Sequence, residues 1–487
     1  RIYYWFQNFI TDTKSMECVS IATFYAGRNI FITGGSGFLG KVLIEKLLRS
    51  CPEIGHIFIL MRPKKGLSID DRLKKMLELP LFDKLRKENH SSFEKLIPVL
   101  GDISNEDLGL SKNERQTLIE QVSIIFHIAA NVRFEGNLKK DIFSNVRSTR
   151  DICILAKSMK NLVALVHIST AYAHVDKPVI DEIVYPSLVD WRNIIKMVET
   201  LDEQIIEVFT SKYLGSMPNT YTFSKRIAEQ VINDYSKDLP TVIIRPSIDI
   251  VTSTINDPIP GWLDNFNGPV AIMIGGAKGI LRVIQLKSDV CGDFLPVDLA
   301  IKIMIIAAWK RGLNTYKNTK DPTTYVYNAT SNQIHRISHK RMIKLGLKLN
   351  KEMPLEGIIW YPQTFITSNY FVYFILTLLI HMIPALIIDE ILKIMGRQPM
   401  LLKIHKIIYS HVTHLNYFLH NEWTFNNFKV LDIFDMQVPL AEQEIFSYDY
   451  RNFNINEYFK NCMTGAKCYL LKEDLNRLKE VKQHFNR

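Results

Sequence analysis

Apolar residues in the first half of the chain gather in short uninterrupted runs, each followed by a stretch in which they recur three and four positions apart. The first run, Asn29-Ile30-Phe31-Ile32, leads into Thr33-Gly34-Gly35-Ser36-Gly37-Phe38-Leu39-Gly40, after which Val42, Leu43, Leu47 and Leu48 carry a helical period. Strand, glycine turn and helix are predicted in that order. Further strands are predicted at Ile57–Met61, Pro98–Ile103, Ile124–Ala130 and Leu165–Ile168. Strands alternating with helices predict an α/β class, a Rossmann-like doubly wound parallel sheet.

The second half has a different pattern. From Tyr370 to Ile388 nineteen residues pass without a formal charge. As a helix this run is ~28 Å long, close to the hydrocarbon thickness of a bilayer, so a membrane segment is predicted. His381 and Pro384 put an ionisable group and a kinking residue inside it, which leaves a span and a hairpin or shallow insertion both open. Lys344, Lys348 and Lys351 precede the run and Lys393, Arg397, Lys403 and Lys406 follow it, so charge does not orient it. Pro399 to Tyr417 returns to a helical period, and a smaller, mainly helical C-terminal domain is expected after the hydrophobic segment.

Length and composition fit this division. At 487 residues the chain exceeds one ordinary domain. Its net charge of +10 is scattered, with no zinc-finger, RNP or basic-helix pattern, so nucleic acid is not an expected partner; a membrane surface or anionic ligands suit the charge better. Six cysteines lie far apart without a CxxC pair, which excludes a disulfide framework and predicts reduced, cytosol-facing thiols. His405, His411, His414 and His420 match no zinc-site spacing and are read as a polar helix face; no metal is expected. His127 and His167, inside apolar strands, are read as satisfied core histidines. The opening RIYYWFQNFI turns polar at once, so no secretory leader is expected.

The chemistry starts at the glycine turn. A pyrophosphate must approach the backbone closely and sit on a helix N-terminus, where side chains would collide with it; Gly34, Gly35, Ser36, Gly37, Phe38, Leu39 and Gly40 are the expected cradle. The second strand ends on Arg62, with Lys64 and Lys65 beyond, rather than on an acidic residue for a free ribose 2′-hydroxyl. Cations there favour the 2′-phosphate of NADPH. Asp102 and Ile103 close the third strand near the expected adenine position, and Ala129 leaves room for the dinucleotide at the end of the fourth. The fifth strand runs into Ser169-Thr170-Ala171-Tyr172, and Tyr221 and Lys225 follow four residues apart. On a helix they share one face, where an ammonium lowers the phenol pKa and holds the nicotinamide ribose. Tyr221, Lys225, Thr170 and Ser169 are therefore the expected catalytic group.

In order and spacing these features resemble the extended short-chain dehydrogenase/reductases, and within them the fatty acyl-CoA reductases of animals. The resemblance covers roughly residues 25 to 475 and rests on TGGSGFLGKVLIEKLLRSCPEI, IFILMRPKKG, HIAANVRFEGNL, VHISTAY, PNTYTFSKRIAE, DPIPGWLDNFNGP and LPVDLA, together with Glu422-Trp423 and the stretch from Met463 to Glu473. Ser148, Asp249 and Lys302 depart from the family's usual residues. The resemblance implies NADPH-dependent reduction of a long-chain fatty acyl-CoA to a primary alcohol, with release of CoA. It also implies a lipid-membrane partner and a cytosol-facing catalytic domain, on the endoplasmic reticulum or alternatively the peroxisome. The expected division is an N-terminal extension (1–27), an NADPH-binding reductase domain with the acyl-CoA site (28–340), a linker (341–369), the membrane segment (370–388), the C-terminal reductase-family domain (389–478) and a charged tail (479–487). Another extended dehydrogenase acting on a sterol or sugar nucleotide, or a catalytically silent membrane-bound acyl-CoA-binding scaffold, are the alternatives.

Overall fold

The computed structural model describes residues 19–134, 136–187, 189–247, 253–266, 269–316, 321–331, 334–448 and 454–485. Seven strands form one parallel sheet: β1 (Asn29–Thr33), β2 (Ile57–Met61), β3 (Leu96–Leu100), β4 (Val122–His127), β5 (Ala164–Ile168), β6 (Thr241–Pro246) and β7 (Tyr325–Ala329). Their spatial order is β3-β2-β1-β4-β5-β6-β7, so the winding reverses between β1 and β4. Every residue of β2, β4, β5 and β6 is buried, as a parallel sheet covered on both faces requires.

Seven helices matter to the argument: α1 (Phe38–Ser50), α2 (Ser148–Ser158), α3 (Thr220–Tyr235), α4 (Val297–Tyr316), α5 (Tyr370–Ile394), α6 (Leu401–His420) and α7 (Ile455–Gly465). α1 and α4 share one apolar core against the sheet, with Ile30, Ile32, Leu43, Leu47, Ile301 and Trp309. α2 and α3 share the core on the other face, with Phe31, Ile125, Ile152, Ile227 and Val231. The doubly wound architecture read from the sequence is the one observed.

The C-terminal part folds onto the sheet domain. Thr424–Phe425 pairs in parallel with Val179–Ile180, and the Trp423 indole donates to the Val175 carbonyl at 3.0 Å. Helix α7 is locked to the Pro-Gly-Trp segment: a Cβ on Gly465 would lie 1.7 Å from the Gly261 carbonyl oxygen, and one on Gly261, at φ +78°, would lie 2.2 Å from that of Asn461. Only glycine permits that approach. Residues 341–369, expected as a linker, carry most of a helix (His339–Glu352) and a strand (Phe365–Thr367) paired with Val283–Gln285. The apolar run expected at 370–388 continues as helix to Ile394, and only 22% of its most hydrophobic window is buried. His127 is a satisfied core histidine, hydrogen-bonded to Thr33 at 2.7 Å and Thr149 at 3.2 Å. His167 is not: among the described residues neither ring nitrogen has a hydrogen-bond partner, and burial, with Lys225 and His127 nearby, keeps it neutral. Of the three unusual residues, Ser148 bonds back to the Ser144 carbonyl at 2.6 Å. Lys302 joins Lys46 and Arg49 around Asp257, at 3.7, 3.3 and 3.7 Å. Asp249 lies outside the described residues, as do Cys18 and the chain's opening.

Candidate active site

The glycine turn lies at the carboxyl end of β1, beside the point where the sheet's winding reverses. Gly34 has φ +78°, and a Cβ there would meet the Ala129 amide nitrogen at 2.7 Å, so the backbones at the β1 and β4 ends approach more closely than any side chain at 34 would allow. A Cβ on Gly40 would meet the Gly34 carbonyl oxygen at 2.3 Å, which holds α1 against the turn. Gly37 caps α1 without a side-chain hydrogen bond, and the first turn carries no acidic residue. Close backbone, positive helix end and absent side chains are what a dinucleotide pyrophosphate needs, and Gly34, Gly35, Ser36, Gly37, Phe38, Leu39 and Gly40 fit that group. Phe38 also stacks on Trp262, ring centroids 5.4 Å apart.

Arg62, at the end of β2, is ion-paired to Asp102 at 2.7 Å. Burial alone would raise the Asp102 carboxyl, but hydrogen bonds from Ser104 and Arg62 outweigh it and hold it below its ordinary value. Arg72, which sequence reasoning missed, reaches across to the same place: it donates to the Arg62 carbonyl, and its second nitrogen lies 3.3 Å from the Ser36 hydroxyl. Burial and the neighbouring Arg62 charge lower its pKa. Arg72 thus reaches Ser36 while the Arg62 guanidinium is held by Asp102, and only Arg62 is visible as a strand-end residue. Ile103 is half-buried beside Asp102.

Tyr221 and Lys225 lie on α3, whose start is fixed by Asn219 accepting the Thr222 amide, a cap stabilising by about 1 kcal/mol. The Thr170 hydroxyl, just past β5, lies beside the Tyr221 phenol, where it offsets part of the rise that burial causes. The Lys225 ammonium donates to the Ile168 carbonyl at 2.6 Å. The expected lowering of the phenol by Lys225 is not observed: burial pushes the phenol well above its ordinary value, with Asp141 adding to the rise. Burial also drives Lys225 down to about 7, Glu229 offsetting only part of it, so near neutrality it is only part-charged. Beside Tyr221, Thr220 donates to Asp141, whose other oxygen accepts from Asn131 at 2.6 Å; burial still pushes that carboxyl up to about 6.

The structure separates the two strand-end hydroxyls. Ser169, expected among the catalytic groups, is committed to Glu229 at 2.6 Å. Glu229, one turn after Lys225 on α3, also receives Arg245 through two nitrogens and His174 at 2.8 Å. Burial alone would raise this carboxyl, but Arg245 and His174 hold it well below the usual range. Glu229 follows the Tyr-x-x-x-Lys pattern at i+4, the one sequence signal by which it could have been found. Phe134 and Phe418 were also missed: Phe134 lies 5.9 Å from Tyr221, and Phe418 of α6 stacks on Phe134 at 5.5 Å. The C-terminal part therefore reaches the site two rings from the phenol. Among the described residues no group of three or more His, Cys, Asp or Glu side chains is arranged to hold a metal.

A glycine cradle at the sheet's reversal and a Tyr-Lys pair beside β5 define an oxidoreductase of the Rossmann type. Its chain is 94% covered by the reductase domain of a nonribosomal peptide synthetase from Mycobacterium tuberculosis, of which 96% is covered, at TM-score 0.59 and 15% identity, a likeness of fold. An NAD-binding family model described as "Male sterility protein" matches residues 32–304, and a second with the same description matches 380–473. Fatty acyl-CoA reductase 1 of Homo sapiens is 36% identical, covering 96% of this chain and 90% of that one; Fatty acyl-CoA reductase 2 of Mus musculus is 37% identical, covering 96% and 89%. The chain belongs to the fatty acyl-CoA reductase family.

Proposed function

We propose that this protein reduces long-chain fatty acyl-CoA to the primary fatty alcohol, releasing CoA, in two successive reductions by way of the aldehyde and with NADPH as reductant. The observation that carries the reading is the buried Thr170–Tyr221 hydroxyl pair with Lys225 one turn along the same helix. It is supported by relatives named as fatty acyl-CoA reductases along nearly the whole chain. The cofactor rests on the glycine cradle from Gly34 to Gly40, Ala129, and Asp102 with Ile103. Arg72, beside Ser36, and the neighbouring Arg62 are a pair of cations suited to a 2′-phosphate.

The nicotinamide cofactor, when bound, supplies hydride to the carbonyl carbon. Tyr221 and Thr170 donate hydrogen bonds to the carbonyl oxygen as charge develops there, in a site closed to water where such donors act strongly. The tetrahedral adduct of the thioester then breaks its carbon–sulfur bond and CoA leaves as thiolate. In the aldehyde reduction Tyr221 gives its proton to the alkoxide oxygen. A phenol raised by burial suits that role, because it stays protonated at neutral pH until a stronger base forms beside it. Lys225 supplies positive charge to the site, and Ser169 acts as a positioning group through Glu229. We place the protein on a membrane with this site facing the cytosol, at the endoplasmic reticulum, the peroxisome being the alternative.

Microsomes carrying the full chain, supplied with NADPH and a panel of acyl-CoAs, test the reading by released thiol and extracted alcohol. Alcohol from the wild type and none from Tyr221→Phe is the expected result. Neither thiol nor alcohol with any acyl-CoA, while NADPH still binds, overturns it.

A further inference from the structure

Helix α5 is turned the wrong way round for water. Its buried positions are Tyr373, Thr377, His381, Ala385 and Asp389, four of them polar or ionisable. They share a face because the wider turn at Thr377–Met382 absorbs the drift that a four-residue repeat makes on an α-helix. These side chains bind the helix to the rest of the protein. The Arg282 amide donates to His381 at 3.0 Å, Tyr373 stacks on Tyr409 at 5.9 Å, and Asp389 accepts the Met400, Leu401 and Leu402 amides at the start of α6. The outward side is apolar, with Phe371 70%, Leu379 54%, Ile387 55% and Ile394 87% exposed, and an exposed Glu390–Lys393 ion pair stands at its end.

Two observations say what covers that side. At 25 residues the helix is long enough to cross a bilayer, but the polypeptide after it returns to the sheet domain before it. Thr424–Phe425 pairs with Val179–Ile180, the Lys429 amide bonds Glu182 at 2.6 Å, and Gly465 lies against Gly261. A single crossing would put these partners on opposite sides of a membrane. The apolar face is also bordered by cations: Arg397, Lys403 and Lys406 are exposed just past it, and Lys340 and Lys344 are exposed on the neighbouring helix, whose Ile343 packs in the same cluster as Tyr373. Beside Arg282, whose guanidinium lies over its ring, Trp360 is 60% exposed, the kind of side chain that settles at a headgroup boundary.

We propose that α5 lies in one leaflet of an anionic lipid membrane, its outward face among the acyl chains and its cationic border on the headgroups, without crossing the bilayer. This rests on the packing of α5 and on the chain's return to the sheet domain, so it stands or falls apart from the reaction proposed above.

Lys351→Cys and Gln398→Cys, exposed positions before and after the helix, test the topology in sealed microsomes with a membrane-impermeant maleimide, labelling being read at each site by mass spectrometry. Both sites are expected to label as fully without detergent as with it. Protection of either one until detergent is added means a crossing and overturns the proposal. The second test is co-flotation of the purified full chain with phosphatidylcholine vesicles, with or without phosphatidylserine. Binding is expected to be several-fold stronger with phosphatidylserine and to fall about tenfold or more in Leu379→Glu/Ile387→Glu. Should that pair not fold, Arg397→Glu/Lys406→Glu on the border is expected to remove the phosphatidylserine dependence. Binding indifferent to phosphatidylserine, or a soluble dimer that floats with neither vesicle, overturns the proposal.

Discussion

Arg245 holds Glu229 through two nitrogens, at 2.8 and 2.7 Å, and both side chains are wholly buried. Two charges withdrawn from water are tolerable only as a pair with the remaining lone pairs satisfied, and Ser169 and His174 do that here. Glu229→Gln leaves Arg245 without a counter-charge, and a loss of about 3–5 kcal/mol is expected. Because the folded carboxyl sits below its ordinary value of 4.5, its stabilisation is full above that pH and fades as the pH falls through it towards the folded value. Melting temperatures from pH 3 to pH 8 check this: wild type and Glu229→Gln should differ most at the upper end and converge in acid.

Lys225 has the opposite sign. Its folded pKa of about 7 lies below the ordinary 10.5, so in between the unfolded chain holds a proton that the folded one does not. The desolvation penalty is complete below about pH 7 and is relieved as the pH rises towards 10.5. Lys225→Met, which keeps the stem and removes the charge, is therefore expected to melt a few degrees higher than wild type at pH 6 and to lose that advantage by pH 10, while alcohol formation is lost. A destabilised variant at pH 6 would mean that the ammonium is better solvated than its burial implies.

The first five strands of the sheet and the glycine turn were legible because they are local, whereas the strands at Thr241–Pro246 and Tyr325–Ala329 were not read. Apolar runs, a glycine turn and a four-residue spacing are written in consecutive positions. What was missed depends on contacts between distant positions. Arg72 reaches Ser36 from another segment, Phe418 reaches Phe134 from the C-terminal part, and Ser169 is claimed by Glu229 sixty residues on. The sign of the Tyr221 shift was misread for a related reason: a Tyr-Lys spacing states proximity, whereas burial, which dominates here, is a property of the whole packed core. The apolar run at 370–388 read as a membrane element from composition, but only the folded chain reveals that its polar side faces inward.

Cofactor choice tests the Arg62–Arg72 pair. If both guanidiniums meet a 2′-phosphate, Arg72→Ala and Arg62→Ala should each raise the KM for NADPH by about 10-fold or more, as loss of a charge-assisted hydrogen bond does, and leave that for NADH almost unchanged. Equal losses with both cofactors would assign Arg72 to loop structure, through its bond to the Arg62 carbonyl. The comparison of the two cofactors in each variant separates these outcomes without a structure.

The division of labour between adjacent hydroxyls gives the sharpest test of the reaction centre. Thr170 meets the Tyr221 phenol, whereas Ser169 is tied into the Glu229 network. Thr170→Val keeps shape and removes a donor to the developing oxyanion, so kcat should fall by about 10²-fold, with about 1 kcal/mol of stability lost because the hydroxyl also accepts the Tyr172 amide at 3.3 Å. Tyr221→Phe removes the proton source as well, and a fall of about 10²–10⁴-fold is expected with NADPH still bound. Ser169→Ala should behave differently. It removes one of the two hydrogen bonds accepted by one oxygen of a buried carboxylate, costs about 1–3 kcal/mol of stability, and lowers kcat only as far as the β5 end shifts. Steady-state kinetics and melting curves on the three variants check the assignment: equal kcat losses for Ser169→Ala and Thr170→Val, without loss of stability in Ser169→Ala, would place both hydroxyls on the substrate.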